Sequence, residues 1–149
     1  MPTNLYGSND NFDLKSSHVL PALLRKFHEA KKDVKDSVEI WGTGKARREF
    51  IHVDDCADAL IYILKNYDDY GPINIESRRD YSIKAAAEII KDMTAYTGEI
   101  VHDLSKPDGT PGKLMDSNRL LKLGWKPTIN FKTGLALTYK WYLTHLQEA

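Results

Sequence analysis

Apolar residues recur along the chain at two spacings, which predict a mixture of helices and strands. A helix is predicted from Ser17 or His18 to Ala30, because one apolar stripe is formed by Val19, Leu20, Leu23, Leu24 and Phe27. Ser17 is a suitable N-cap for this helix. A charged loop is expected over residues 31–37.

Further helices follow from the same helical spacing. Residues 53–67 predict a helix whose inward face is formed by Ala57, Leu60, Ile61 and Leu64. The next is predicted to start after the cap Ser82 and to stop at Gly98, with an inward face of Ile83, Ala86, Ile89, Ile90 and Met93. A short helix is expected over 116–123. The closing helix, 131–146, has the apolar residues Leu135, Leu137, Trp141, Tyr142 and Leu146.

Strand patterns are short and few. They are predicted at residues 1–7, 38–41, 50–53, 73–75 and 99–102. None forms an obvious hairpin, and the number is small for an independent sheet covered on both faces. Residues 106–113 are too rich in Pro and Gly for regular structure. The pattern therefore predicts a helix-rich α/β chain.

Composition narrows the classes of function. The 149 residues suit one domain. The 21 Lys and Arg residues balance the 21 Asp and Glu residues, so the net charge of the protein does not favour binding to nucleic acid or to an anionic membrane. Cys56 is the single cysteine, so an internal disulfide and a thiolate zinc cluster are excluded. We find no apolar run of membrane-spanning length and no secretory signal in the first residues. A cytoplasmic protein is expected.

A glycine turn followed by cations is the most distinctive local pattern. Trp41 ends a strand, residues 42–44 form a Gly-Thr-Gly turn, and Lys45, Arg47 and Arg48 follow. Such a turn can bind an anion such as a nucleotide diphosphate, and both arginines can bind phosphate bidentately. The pattern alone favours a solvated basic turn. It is not a dinucleotide fingerprint, because the third glycine is missing.

Other chemically capable side chains have an ordinary structural interpretation beside the functional one. His18 is the best acid–base candidate, since a helix start favours the neutral, proton-accepting imidazole, yet a surface histidine is the commoner outcome. Lys26 approaches the basic turn only if its helix packs there. Asp108 and Lys113 lie in the Pro/Gly loop, where charged residues are usually solvated. Asp54 and Asp55 are interpreted as a helix cap, and no metal site is predicted.

Several segments, taken together, resemble one enzyme family. The segments are PTNLYG, DNF, SSHVLPALLRKFHEA, VEIWGTGKARREFIHVDD, SKPDGTP and LGWKP. They resemble the second half of GDP-L-fucose synthases, which are NADPH-dependent extended short-chain dehydrogenases/reductases. The WGTG-to-VDD stretch is general to that superfamily, whereas the combination with NLYG…DNF, SHVLPALLRK and SKPDGTP is more specific.

The resemblance implies a two-part enzyme. Residues 1–17 would form the end of a Rossmann domain and a connecting loop, and residues 18–149 a GDP-sugar-binding domain with segments that pack back on the Rossmann domain. NADPH would be bound mainly by the N-terminal half. The resemblance also implies a homodimeric full-length enzyme that converts GDP-4-keto-6-deoxy-D-mannose into GDP-L-fucose by 3,5-epimerisation and 4-reduction.

The resemblance also assigns roles to individual residues. The nicotinamide end of the cofactor would be lined by Pro2, Thr3, Asn4, Leu5 and His18. His18 would also transfer protons at the sugar, together with a cysteine from the other half. The substrate would contact Lys26, Trp41, Arg48, Asp108 and Lys113.

Departures from the family pattern leave other hypotheses open. Ser8 and Ala46 stand at usual Pro positions, Gly112 replaces a basic residue, and residues 76–79 replace a Gly-containing turn. The glycine-rich fingerprint, the catalytic Ser and the Tyr-x-x-x-Lys pair belong to the half that this sequence does not contain, so we expect the isolated chain to be inactive. The alternatives are a non-catalytic GDP-sugar-binding module and a fragment of another NAD(P)-dependent nucleotide-sugar epimerase or dehydratase.

Overall fold

A computed structural model describes residues 1–112 and 114–145 as a mixed α/β chain with short sheets. The strands are β1 (Asn4–Tyr6), β2 (Ser37–Trp41), β3 (Arg47–His52), β4 (Asp80–Ser82) and β5 (Glu99–Asp103). The helices are α1 (Val19–Lys32), α2 (Val53–Asn66), α3 (Ile83–Thr94), α4 (Asn118–Lys122) and α5 (Phe131–His145). The predicted fold class is confirmed. No helix in the described ranges has the length and apolar character needed to cross a membrane.

Two small sheets organise the chain. In the first, β3 lies between β1 and β4, parallel to β1 with Leu5 opposite Ile51 and antiparallel to β4 with Arg48 opposite Tyr81. In the second, β2 pairs in parallel with β5. Because β1 and β3 run the same way, the loop that follows Tyr6 and the start of α2 after His52 emerge at the same edge of the first sheet.

The larger core lies among α1, α3, α5 and the two sheets. Its largest fully buried side chains are Leu20, Leu24, Phe27, Ile40, Ile90 and Leu135. The predicted stripe of α1 is confirmed, since four of its members are buried and Val19 packs partly against them. Helix α1 packs against α3 and contacts β2.

A smaller core lies beneath α2 and α4. It contains the buried residues Ile51, Cys56, Ala59, Ile73, Ile75, Leu120 and Trp125. The Trp125 indole donates to Asp58 over 2.7 Å, and Asp55 accepts from the backbone N–H groups of Thr128 and Ile129 at 3.0 and 2.9 Å. These bonds hold the 125–129 segment against α2.

The predicted inward face of α2 is wrong. Leu64 is 84% exposed, and Ala57, Leu60 and Ile61 are also exposed. The helix instead buries Cys56 and Ala59, because the small core lies on that side of it. The larger aliphatic side chains therefore form a second stripe that remains exposed in the described part of the chain.

The first turn of α2 also differs from the prediction. His52, and not an aspartate, is the N-cap, and its Nδ1 accepts from the Asp54 backbone N–H over 3.3 Å. The His52 side chain is buried, which lowers its pKa. Asp55 lies in the first helical turn, where its carboxylate binds Thr128. The paired aspartates are thus first-turn residues and not a cap.

Element ends account for most of the remaining differences. The predicted 73–75 strand is not formed, and this segment makes a single bridge, between Pro2 and Ile75. Helix α3 ends at Thr94, with Ala95 in the left-handed conformation, and not at Gly98. Helix α1 continues to Lys32, two residues beyond the predicted end.

Two details concern helix ends and exposed residues. Ser82 accepts from the Ala85 N–H as predicted. Ser17 does not cap α1, since His18 occupies the N-cap position without a side-chain cap bond. On α5, Leu135 and Tyr142 are buried, Leu137 is exposed, and Leu146 lies outside the described residues.

The different burial of the apolar residues on α1 and α2 leads to a prediction about stability. Leu24→Ala should lower the free energy of unfolding by about 2–5 kcal/mol, because Leu24 is 0% exposed in the larger core. Leu64→Ala should change it by less than about 0.5 kcal/mol, because this side chain is already in water. Urea unfolding followed by circular dichroism measures both. Comparable losses in the two variants would show that the α2 stripe is buried.

Candidate functional site

A cavity of about 450 Å³ lies where β1 and β3 end. It is lined by Thr3, Asn4, Leu5, Tyr6, Gly7, Ser8, Asn9, Asp10, His18 and Val53. Ligands of parallel α/β sheets commonly bind beyond the carboxyl ends of the strands. The parallel pairing of β1 with β3 thus builds the cavity, and the start of α1 brings His18 to it.

Gly7 allows the end of β1 to lie in close contact with the start of α2 at this cavity. Its φ is +154°, a conformation that side chains disfavour, and an added Cβ would overlap the Val53 Cγ1 atom. The chain can therefore leave β1 directly against the first residue of α2. Residues 8–10, which follow Gly7, also line the cavity.

The predicted cofactor residues lie mostly around this cavity. Thr3, Asn4 and Leu5 line it with His18, whereas Pro2 pairs with Ile75 instead. The Thr3 hydroxyl and the Asn4 amide both donate to the backbone oxygen of Glu49, over 3.1 and 2.8 Å. These two side-chain hydrogen bonds therefore connect β1 to β3. Only the other atoms of Thr3 and Asn4 remain available to a ligand in the cavity.

Asp10 is a member of this cavity that residue-by-residue sequence analysis missed. Its Oδ1 accepts from the Asn11 N–H over 2.8 Å, and its buried Oδ2 has no hydrogen-bond partner among the described residues. Burial raises the pKa of Asp10, while Asn11 and nearby His18 oppose this. The DNF segment was the only signal, and it pointed to a family and not to a role for the carboxylate.

A second group of polar residues surrounds the 42–48 turn. Asp108 accepts from the Thr43 N–H over 2.8 Å and from the Thr43 hydroxyl over 2.6 Å, which lowers the pKa of the Asp108 carboxyl. Gly42 is required here, since its φ is +66° and a Cβ would overlap Asp108 Oδ1. The Asp108 loop and the glycine turn are thus held together.

Trp41 forms an exposed aromatic surface beside this turn. It is the last residue of β2 and is 63% exposed, although a core position is the commoner place for such a ring. The Lys106 ammonium lies 5.7 Å from the ring centroid in a cation–π arrangement. An exposed indole next to cations can contact a planar, electron-rich ligand.

The two arginines of the turn have different roles. Arg47 is bound to Asp80 on β4, with 2.6 Å between Nε and Oδ2, so its guanidinium is occupied by a carboxylate. The suggestion that both arginines bind phosphate is therefore not supported for Arg47. Arg48 donates through Nη1 to the carbonyl oxygens of Arg47 and Thr110, at 2.7 and 2.6 Å. These bonds orient the guanidinium of the half-buried Arg48 without neutralising it.

Helix α1 connects the two groups. Lys26 donates to the Glu39 carbonyl on β2 over 3.1 Å, two residues before Trp41. Lys26 lies eight residues after His18, a rise of about 12 Å along a helix. The predicted residues thus form a cavity group at one end of α1 and a turn group farther along it. Their separation suits an extended ligand and not a single small anion.

The remaining predictions on binding concern Lys113 and metals. Lys113 lies outside the described residues, so its place stays a prediction. Within the described ranges, we find no cluster of His, Cys, Asp and Glu that could hold a metal ion.

Comparison with known proteins identifies the family. The profile of the NAD dependent epimerase/dehydratase family matches residues 1–76, which include β1, the cavity, α1 and the glycine turn. The chain belongs to this family. Its members are NAD(P)-dependent enzymes.

Individual members of the family give more detail. The chain is 50% identical over 146 residues to GDP-L-fucose synthase 1 of Arabidopsis thaliana, and the match covers 98% of this chain and 45% of that protein. It is 45% identical over 152 residues to the GDP-L-fucose synthase of Escherichia coli, covering 96% and 47%. The chain thus spans about half the length of these relatives.

A solved family structure has the same arrangement. A GDP-L-fucose synthetase from Naegleria fowleri superposes with a TM-score of 0.92 at 33% identity, covering 99% of this chain and 46% of that one. The same enzyme has been solved with NADP bound. These family members agree with the resemblance drawn from the motifs.

The bond between Asp108 and Thr43 makes a prediction about local dynamics. In Asp108→Ala, the Thr43 amide should exchange with solvent roughly three- to tenfold faster, because its acceptor is lost. Hydrogen exchange read by NMR measures this rate. Asp68→Ala, at an exposed residue after α2, is the control. An unchanged Thr43 rate in the Asp108 variant would show that the loop is held by other contacts.

Proposed function

We propose that this chain is the substrate-binding portion of an NADPH-dependent GDP-L-fucose synthase. The whole enzyme would convert GDP-4-keto-6-deoxy-D-mannose into GDP-L-fucose by 3,5-epimerisation and 4-reduction. One observation carries the proposal: α1 links a cavity containing His18 to the turn group, which contains the exposed Trp41 and the half-buried Arg48. The relatives that share this sequence at 45–50% identity are named GDP-L-fucose synthases.

The turn group would bind the GDP part of the substrate. The exposed Trp41 ring offers a surface for the nucleoside. Arg48 would bind the diphosphate, since its guanidinium is oriented by backbone carbonyls and keeps its charge. Lys26 would add a cation from α1. Asp108 would fix the loop that closes over this end, and Lys113 would provide a further cation.

The cavity group would bind the sugar. A ketone at C4 acidifies the C–H bonds at C3 and C5, so epimerisation needs an acid and a base beside the ring. His18 would serve as one of them, because it lies at the cavity wall at the start of α1. A cysteine of the N-terminal half would be the other.

The cavity would also receive the nicotinamide end of NADPH. Bound there, the cofactor would supply the hydride that reduces C4. Thr3, Asn4 and Leu5, which line the cavity, would contact the nicotinamide ring, and Pro2, two residues before β1, would lie next to them. His18 would lie close to both the ring and the sugar. A volume of about 450 Å³ is adequate for these parts but not for a whole dinucleotide. Most of the cofactor would therefore contact the other half.

The domain division and assembly follow from the same proposal. Residues 1–17 would complete the Rossmann domain, and residues 18–149 would bind GDP-sugar. The exposed stripe of Leu60, Ile61 and Leu64 would pack back on the Rossmann domain, because an apolar surface of this kind is unfavourable in water. The full-length enzyme would be a cytoplasmic homodimer.

Nucleotide selectivity tests the binding role. Calorimetry should show that the chain binds GDP more tightly than UDP or dTDP. Arg48→Ala should weaken GDP binding by about ten- to a hundredfold, because a charged hydrogen bond to phosphate is lost. Arg47→Ala is the matched control and should weaken it less than about threefold, since this side chain binds Asp80. A preference for UDP or dTDP would instead indicate another nucleotide-sugar enzyme.

The catalytic limit of the chain is a separate prediction. The 149 residues alone should show no NADPH-dependent reduction of GDP-4-keto-6-deoxymannose, because the catalytic Ser and Tyr-Lys pair are expected in the other half. Oxidation of NADPH followed at 340 nm checks this, with a full-length GDP-L-fucose synthase as positive control. Measurable turnover would overturn the prediction. Binding without activity, even after an N-terminal half is supplied, would favour a non-catalytic module.

A further inference from the structure

A histidine on the inward side of β5 contacts the turn group. Along this strand, Glu99 and Val101 are exposed, whereas Ile100 and His102 alternate with them and are half-buried. A polar ring at such an inward position needs a hydrogen-bond partner. The partner belongs to the glycine turn, since His102 Nδ1 lies 3.0 Å from the Gly42 carbonyl oxygen.

This contact determines which ring nitrogen of His102 carries the hydrogen. A backbone carbonyl oxygen can only accept a hydrogen bond, so Nδ1 must carry a hydrogen and donate it. In a neutral imidazole the other nitrogen, Nε2, then has no hydrogen. The contact therefore requires the Nδ1–H form of His102 whenever the ring is neutral.

Strand β5 binds both backbone polar groups of Gly42. Trp41 and Asp103 lie opposite each other at the ends of β2 and β5. The Gly42 N–H donates to the Asp103 carbonyl over 2.9 Å, and the Gly42 carbonyl accepts from His102. The residue that follows Trp41 is thus held through its donor and its acceptor by two consecutive residues of one strand.

Two further carbonyl groups of the turn bind the start of α3. The Gly44 carbonyl accepts from the Lys84 N–H, and the Ala46 carbonyl accepts from the Ile83 N–H, each over 3.0 Å. The first N–H groups of a helix have no partner within the helix, so these bonds satisfy two of them. A Cβ added to Gly44 would lie 3.2 Å from His102 Cε1, so the ring also packs against the turn.

We propose that His102 is a positioning residue whose Nδ1–H donates to the Gly42 carbonyl and so orients the turn between Trp41 and Arg48 for a nucleoside diphosphate. The inference rests on the proposed function for the identity of the ligand. It adds to the turn group a residue that lies 60 positions farther along the chain than Gly42. Loss of the bond would leave this carbonyl without its donor and loosen the turn.

The position of the ring hydrogen is measured directly by ¹⁵N NMR of the unmodified chain. Protonated and unprotonated ring nitrogens have separate resonances, so long-range ¹H–¹⁵N correlations show which nitrogen carries the hydrogen. The resonances of His102 are identified by their loss in His102→Gln. The neutral ring should carry its hydrogen on Nδ1. A hydrogen on Nε2 in the neutral ring would overturn the proposal.

Two amide substitutions separate the hydrogen bond from a general need for this side chain. The Asn amide nitrogen is attached to Cγ and takes the place of Nδ1, whereas the longer Gln places its amide nearer to the position of Nε2. His102→Asn should therefore keep the bond to Gly42, and His102→Gln should lose it. A purely structural role predicts the opposite order, because Asn is the smaller residue and is disfavoured in strands.

Hydrogen exchange without any ligand measures the effect on the turn. The Gly42 amide should exchange at least about threefold faster in His102→Gln than in the unmodified chain, and within about twofold of it in His102→Asn. The Glu99 amide, which donates to the Asp36 carbonyl over 2.8 Å, is the internal control and should be unchanged in both variants. Exchange that is no faster in His102→Gln than in His102→Asn would contradict the inference. If both variants lose the protection at Glu99, the ring hydrogen of the unmodified chain still decides.

Binding of GDP tests the consequence for the site. Calorimetry should give an affinity about three- to tenfold lower for His102→Gln than for the unmodified chain, and within about twofold of it for His102→Asn. An unaltered affinity in His102→Gln, or a lower affinity in His102→Asn than in His102→Gln, would overturn the inference. No binding of GDP to the unmodified chain would instead contradict the proposed function, while the ring hydrogen and the Gly42 exchange still decide whether His102 holds the turn.

Discussion

Strand β3 is paired on both sides, and this double pairing fixes where both parts of the candidate site lie. Its carboxyl end lies beside that of β1, so the loop after β1 and the first residue of α2 both line the cavity that contains His18. Its amino end carries Arg48 and pairs with β4. A backbone ladder tolerates no partial shift of register, because a slip of one residue would turn every side chain to the opposite face.

The irregular loop after β5 derives its order from the sheets and not from its own sequence. It is bound at Thr43 through Asp108, at the start of β3 through Thr110 and Pro111, and at Met115 through Glu49. Each of these hydrogen bonds is exposed to solvent or contributes only modestly to stability by itself. Together they hold a Pro- and Gly-rich segment whose described residues lie outside the helices and strands, which is how a loop can present polar groups to a ligand.

Residues of the same type have different partners, and therefore different roles, in this fold. Arg47 and Arg48 are adjacent in sequence, but alternation along β3 directs the first to Asp80 and the second to the 110 loop. The His52 imidazole is buried as a helix cap, whereas His18 lies at a cavity wall. The chemistry available to each side chain therefore depends on its partner and its exposure more than on its type.

The sequence by itself determined the mixed α/β class, the stripe of α1, the irregular loop and the family, because helical periodicity, turn residues and motif order are local properties. It also selected His18, Trp41 and Arg48. The tertiary structure alone decided which apolar stripe of α2 is buried, since Cys56 and Ala59 compete there with the larger Leu60, Ile61 and Leu64. It also decided the pairing of Arg47 with Asp80, because these partners are 33 residues apart and nothing local predicts their contact.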